Sequence, residues 1–158
     1  TGAKKPDWQA GIENCLSTFM ASIVMSDMLL GVGLLHGSRI WSYEQMLLDC
    51  EIFSIIHKVM QGIQVDDETL ALDVIRAVGP EGNFLSQRHT IKHMRELFLP
   101  KYFDRRPYDV WEEKKDGAPD WAHAKALQIL QIHQPVSLDP ALSMELRKMI
   151  SNTEQGLI

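Results

Sequence analysis

Two stretches of this 158-residue sequence carry side chains that could do chemistry. The first includes His36, Trp41, Tyr43 and Glu44. Aromatic faces attract quaternary ammonium groups and a carboxylate adds an opposite charge, so this set is typical of a pocket for a cationic ligand. In a plainer interpretation, Trp41 packs against a following helix while Tyr43 and Glu44 are ordinary first-turn residues. Spacing alone favours the plainer interpretation.

The second stretch contains His89 and His93, one helical turn apart, with Glu96 near the same face. Two imidazoles at this spacing can bind a metal ion. A solvated basic helix face gives the same pattern, and it is favoured because such pairs often arise by chance. Without a third ligand, the sequence predicts that this chain binds no metal.

A buried strand followed by a long helix should position the first set. The apolar run 28–30 passes into Gly31 and Gly33, and a run without polar alternation predicts a parallel strand covered on both faces. Ser42 opens a Ser-x-x-Gln capping box, which predicts that a long helix begins there. Ligands of parallel α/β folds lie beyond the carboxyl ends of the strands, so the loop 34–41 is the expected site. The two glycines would let a ligand approach the backbone.

The rest of the chain is predicted to be mostly helical, because caps and breakers bound each amphipathic segment. We expect two parts, residues 1–104 with the βα unit and its connecting helices, and residues 105–158 as a helical carboxyl-terminal extension. The predicted helices begin at Pro6, after Asp66-Asp67-Glu68, and at His89, Pro107, Pro119 and Pro140.

Composition narrows the classes of partner. The formal net charge of -5 argues against nucleic acid, which needs a basic face. Cys15 and Cys50 fall on apolar helical positions, which predicts reduced core thiols rather than a disulfide framework. The sequence contains neither a long apolar segment nor the apolar core of a signal peptide, so we expect no membrane partner and a cytoplasmic location.

Several motifs in matching order and spacing closely resemble the carboxyl-terminal part of the trimethylamine methyltransferase family. The resemblance covers nearly the whole chain and weakens after Trp111. The motifs are AKKPDWQAG from Ala3, LGVG from Leu30, SYEQ from Ser42, DDETLALDVI from Asp66, VGP from Val78, Phe84-Leu85 and His89-Thr90.

The resemblance implies an α/β fold in which this chain forms the carboxyl-terminal fragment of a (β/α)8 TIM barrel, predominantly helical in this piece. It also implies an activity: a methyl group moves from a tertiary or quaternary amine, trimethylamine or a betaine such as glycine betaine, to the Co(I) of a separate corrinoid protein. The corrinoid then belongs to that partner protein, and this chain binds no cofactor itself.

With this activity, Trp41, Tyr43 and Glu44 are expected around the cation, and His36 or His89 near a substrate carboxylate. Two alternatives stay open at this point. The chain could be a non-catalytic piece that acts as a helical self-association module, or a metal-dependent hydrolase using His89 and His93. Because a partial barrel leaves apolar faces open, we expect a homo-oligomer.

Overall fold

The computed structural model describes residues 1–156, and it is predominantly helical with one small sheet. Its contacts divide the chain into two compact units that meet in sequence between Leu127 and Gln128. The boundary expected between residues 104 and 105 rests on composition and stays a prediction. The elements in chain order are α1 (Trp8–Ile23), β1 (Leu34–Leu35), β2 (Ile40–Trp41), α2 (Tyr43–Met60), α3 (Asp67–Leu70), α4 (Leu72–Val78), α5 (Arg88–Met94), α6 (Tyr108–Lys114), α7 (Ala118–Ile132) and α8 (Pro140–Glu154).

Side-chain caps lie at several of the predicted helix starts, whereas α5 and α6 begin without one. Asp7 accepts a hydrogen bond from the backbone amide of Ala10 at the start of α1. Ser42 does the same for Gln45 at the start of α2. These bonds satisfy amide groups that have no partner within the helix. The short acidic helix α3 has the reciprocal capping box, formed by Asp66 and Thr69.

A small core forms where α1 and α2 pack together above the hairpin of β1 and β2. Ala3, Ala10 and Leu35 are buried with Ile40 packed against them. Ile52 and Ile56 are the buried apolar residues of α2. These contacts fix the segment before α2 relative to both long helices.

The predicted parallel strand at 28–30 is wrong for the described chain. These residues do not form a strand, and Met28 and Leu30 are 73% and 85% exposed. Instead, β1 and β2 form an antiparallel hairpin in which Leu34 is paired with Trp41. A parallel strand needs a neighbouring strand brought alongside by a crossover connection, and the described residues supply none.

The expected burial of the cysteines is only partly correct. Cys15 is half-buried, while Cys50, expected in the core, is exposed. Glu51 of α2 is buried and accepts a hydrogen bond from the amide of Lys101 at 3.0 Å. The residues after α5 therefore return to α2 and cover part of it.

A polar cluster centred on Arg106 connects α6 to the start of α7. Its guanidinium group donates to the carboxylates of Asp104 and Asp116, both at 2.7 Å, and lies 4.7 Å from the ring centre of Trp121. Bonds to Arg106 lower the pKa of Asp104, and those from Trp121 and Arg106 lower that of Asp116. In the described part of the chain, no helix has the length and apolar character needed to cross a bilayer.

Candidate functional site

The segment between α1 and α2 is held close to α2 by Gly33. This glycine has φ +81°, and a Cβ atom there would lie 2.9 Å from the Cβ of Met46. Its amide donates to the Oδ2 atom of Asp49 at 2.8 Å, while its carbonyl accepts from the amide of Ser42 at 3.0 Å. A residue with a side chain would push this segment away from α2, so glycine is required here.

Asp49 on α2 is the centre of a buried polar network that sequence analysis did not identify. It is only 2% exposed, and it accepts hydrogen bonds from the amide of Gly33 and from the side chains of Asn14 and Gln45 at 2.8, 2.9 and 2.6 Å. Three donors satisfy a buried carboxylate, which would otherwise destabilise the fold. The network connects α1, α2 and the glycine segment.

A cavity of about 260 Å³ lies beside this network. Its lining includes Asn14, Asp49 and Gly31, and also Gly37 and Ser38 from the hairpin turn. The cavity is therefore lined by the side-chain amide of Asn14, the carboxylate of Asp49, and residues of the glycine segment and the hairpin turn. Its volume and polar lining suit a small polar or charged molecule.

The hairpin turn has a strained backbone. His36, Gly37 and Ser38 all have positive φ angles, 47°, 60° and 67°. The amide of His36 donates to the carbonyl of Ala3 at 2.9 Å, which holds the turn against the first residues of the chain. Non-glycine residues in this region are uncommon, and they often occur at sites that bind ligands.

Trp41, Tyr43 and Glu44 follow the turn and lie together at the start of α2. The rings of Trp41 and Tyr43 are perpendicular with centroids 6.1 Å apart, and both side chains are about half exposed. An edge-to-face pair of this kind leaves ring faces available for contact with a cation.

Both carboxylate oxygens of Glu44 already have partners. Oε2 accepts from the hydroxyl of Ser42 at 2.8 Å, and Oε1 lies 2.7 Å from Nδ1 of His123. The hydrogen bond to His123 is the largest cause of a lowered pKa for Glu44, so the group is anionic at neutral pH. Sequence analysis missed the contact between His123 and Glu44 because 79 residues separate the two in sequence.

The residues His36, Trp41, Tyr43 and Glu44 are called the loop group below, and His89 is not part of it. Its Nε2 atom lies 2.7 Å from the carbonyl oxygen of Glu68, and its ring centre is 4.3 Å from that of His93. It therefore belongs to a second cluster with Glu68 and His93. Of the two histidines expected near a substrate carboxylate, His36 is the one in the turn that precedes the aromatic pair.

The loop group has the components needed to bind and orient a small cation. Trp41 and Tyr43 supply aromatic surface, and Glu44 supplies negative charge. Gly31 instead lines the cavity beside Asp49, whose described lining does not include these three side chains. Aromatic and carboxylate groups of this kind can bind a cationic ligand and orient it.

Comparison with known proteins shows the family of the chain. Residues 1–157 match the family model described as trimethylamine methyltransferase. The chain is 37% identical over 155 residues to the trimethylamine methyltransferase MttB of Desulfitobacterium hafniense (strain DCB-2), covering 96% of this chain and 31% of that protein.

Two further relatives have similar coverage. The glycine betaine methyltransferase of Desulfitobacterium hafniense (strain Y51) is 36% identical, over 94% of this chain and 32% of that protein. The trimethylamine methyltransferase MttB of Methanosarcina barkeri is 31% identical, over 98% of this chain and 31% of that protein. The chain thus spans about a third of the length of the curated relatives it matches.

Proposed function

Since this chain belongs to the trimethylamine methyltransferase family, we propose that the intact protein moves a methyl group from a tertiary or quaternary amine, trimethylamine or a betaine, to the Co(I) of a corrinoid protein. The observation that carries this proposal is the family match over residues 1–157. We also propose that the chain forms the carboxyl-terminal part of a (β/α)8 barrel, with the hairpin of β1 and β2 at its ligand-binding end.

In this proposal, the chain's contribution is to hold the amine. Trp41 and Tyr43 contact the methyl groups around the positive nitrogen, and Glu44 balances the charge. The corrinoid, held by its own protein, supplies the nucleophile that accepts the methyl group. A site for such a reaction must present one methyl group towards the acceptor and exclude water from the other faces of the cation.

The charge of the substrate predicts which kinetic constant these residues affect. When the C–N bond breaks, its electron pair stays on nitrogen and the positive charge disappears. Contacts with Glu44 and the rings are therefore stronger in the substrate complex than in the product. Such contacts lower KM and do not by themselves raise kcat.

His36 would distinguish the two classes of amine. A betaine carries a carboxylate that trimethylamine lacks, and an imidazole in the turn before the aromatic pair could donate a hydrogen bond to it. The two relatives named for different substrates are almost equally similar to this chain, at 37% and 36% identity, so similarity favours neither substrate. Replacing His36 by Gln should raise KM for glycine betaine and leave KM for trimethylamine unchanged.

The test of the function is methyl transfer by the intact protein. It is mixed with a reduced corrinoid protein and, in parallel, with trimethylamine, glycine betaine or a longer betaine. Demethylated amine and methylated corrinoid are measured together. Equal amounts of both products with one amine would identify the reaction and the substrate. Transfer from none of the amines, with a corrinoid shown to be competent by another methyltransferase, would contradict the proposal.

A further inference from the structure

The second cluster contains three side chains that are common metal ligands. Glu68 on α3 and His89 and His93 on α5 each place one potential ligand atom within 4.8 Å of the others. The two histidines are separated by four positions, so α5 presents both rings on one face. Glu68 is the third ligand that the sequence pattern lacked, and it comes from 21 residues before His89.

Hydrogen bonds to acceptor-only oxygens determine which nitrogen of each ring carries the proton. Nδ1 of His93 lies 2.7 Å from Oε2 of Glu96, and Nε2 of His89 lies 2.7 Å from the carbonyl oxygen of Glu68. A carboxylate and a carbonyl can only accept, so these two nitrogens donate. The other nitrogen of each neutral ring therefore keeps a lone pair. Metal-binding histidines commonly have this arrangement, with the outer nitrogen donating to a carboxylate or carbonyl.

The inner nitrogen of His93 has no hydrogen-bond partner. Nε2 is a buried atom that lies 3.5 Å from Oε1 of Glu68, a distance that gives an ion pair when the ring is protonated but no hydrogen bond when it is neutral. A lone pair and a carboxylate oxygen that face each other repel, unless a proton or a metal ion lies between them. This unsatisfied atom is the observation that separates the cluster from an ordinary surface histidine pair.

We propose that Glu68, His89 and His93 bind one divalent transition-metal ion of the Zn²⁺ type. Two imidazole nitrogens and one carboxylate oxygen form a common three-residue ligand set for zinc, with water completing the coordination. The ion joins α3 to α5, two helices of only four and seven residues. Glu96 orients His93 from outside the coordination sphere.

Lys92 is the group that competes with the ion. Its ammonium nitrogen lies 2.6 Å from Oε1 of Glu68, and both side chains are more than half exposed. An exposed ion pair is weak because water screens it, so a metal ion displaces it at little cost. Glu68 is exposed as well, so its side chain can move inward to bring the ligand atoms from their present separation to bonding distance.

The first test measures stoichiometry. The intact protein, free of any histidine tag and stripped with a chelator, is titrated with Zn²⁺ against a chromophoric chelator. One equivalent should bind, and Co²⁺ at the same site should give the visible bands of a four-coordinate ion. His89→Gln and His93→Gln should each lose this equivalent, whereas His57→Gln, on the exposed side of α2, should retain it. No bound equivalent, or an equivalent that survives both substitutions together, would overturn the proposal.

The second test examines the roles of Glu96 and Lys92, which contact His93 and Glu68. Glu96→Gln should weaken zinc binding by about 10-fold to 100-fold, the usual effect of removing an orienting group outside the coordination sphere. Lys92→Met should tighten binding, because it removes a competing cation from Glu68. Weaker or unchanged binding in Lys92→Met would overturn the role of Glu68 as a ligand. Circular dichroism of each variant shows whether a lost site reflects lost structure instead.

Discussion

Two left-handed glycines near the candidate site have different surroundings. A Cβ atom on Gly33 would meet the side chain of Met46 and the carbonyl oxygen of Ser42 at 2.9 and 3.1 Å, whereas a Cβ atom on Gly37 would meet nothing within 4 Å. Both residues need a positive φ, so replacement of either carries a backbone cost. Only replacement of Gly33 adds a steric cost. A comparison of the two variants therefore separates the energetic effect of backbone conformation from that of packing.

Gly33→Ala should destabilise the protein by about 3 kcal/mol, and Gly37→Ala by about 1 kcal/mol. Thermal unfolding of the two variants of the intact protein, recorded under the same conditions, measures the difference. Equal losses of stability would mean that the segment can move away from α2 without cost. That result would contradict the close approach described here.

The charge of Glu44 should persist to unusually low pH. Its hydrogen bonds with His123 and Ser42 lower its pKa from the ordinary 4.5, so the folded state favours the carboxylate. A depressed carboxyl pKa contributes stability above the unfolded pKa, and this contribution is lost as the pH falls through the folded pKa. Amine binding that depends on this charge should follow the same folded pKa.

Amine affinity should therefore stay constant from neutral pH down to about 4.5 and weaken only below it. Glu44→Gln should raise the dissociation constant about 10-fold to 150-fold at neutral pH, as a charged contact contributes roughly 1.5–3 kcal/mol. Tryptophan fluorescence titration of the intact protein measures both effects. An unchanged dissociation constant in Glu44→Gln would remove this residue from the amine site.

At the scale of elements, the buried network of Asp49 positions the loop. Asp49 receives hydrogen bonds from α1, from α2 itself and from the glycine segment, and it is 2% exposed. Removing its carboxylate leaves three donors without an acceptor, and each lost partner costs about 1–3 kcal/mol when buried. Asp73 on α4 provides the contrast, because its ion pair with Arg76 is exposed to solvent.

Asp49→Ala should destabilise the intact protein by at least about 3 kcal/mol, and Asp73→Ala by no more than about 0.5 kcal/mol. Chemical unfolding followed by circular dichroism compares the two. If Asp49→Ala were as mild as Asp73→Ala, water would have to satisfy the donors and the network would not hold the loop.

The helices were predictable because their signals are local. Asp7, Ser42 and Asp66 each accept a hydrogen bond from an amide three residues later, and the sequence shows these residues at the start of amphipathic segments. The capping box at Ser42 was only half correct, because the side chain of Gln45 bonds to Asp49 rather than back to Ser42. Competition between local and tertiary hydrogen bonds cannot be predicted from spacing.

The hairpin and the polar clusters could not be predicted in the same way. Two of the three left-handed residues in the turn are His36 and Ser38, so the usual glycine signal is mostly missing. The run 28–30 satisfies the composition of a buried strand, but a strand depends on partners elsewhere. Likewise, the contact between Glu44 and His123, and that between Glu68 and His89, join residues distant in sequence. Trp41 and Tyr43, like His89 and His93, were predicted as neighbours because they are close in sequence, but the distant partners of these groups were not.

At the scale of the whole molecule, a large apolar surface remains uncovered in the described residues. Trp8 on α1 is 82% exposed, and Leu16 and Met20 on the same helix are also exposed, as are Met28 and Leu30. Apolar surface of this extent indicates an interaction surface. The chain spans about a third of its curated relatives, so other parts of an intact protein could cover it.

The 158-residue chain expressed alone should therefore self-associate. Size-exclusion chromatography with light scattering should give a mass well above 18.0 kDa that rises with concentration. Leu16→Glu together with Met20→Glu should reduce the association, and Asp73→Ala should not change it. A compact monomer at all concentrations would show that the exposed apolar surface does not drive self-association.

The central claim is that the aromatic pair in this chain holds the methyl donor, and Trp41→Leu tests it most directly. A cation–π contact contributes about 1–2 kcal/mol, so KM for the amine in methyl transfer should rise about 5-fold to 30-fold with little change in kcat. Trp8→Leu, which replaces an exposed tryptophan at the start of α1, should leave both constants unchanged. The same KM in Trp41→Leu as in the wild type would contradict the claim.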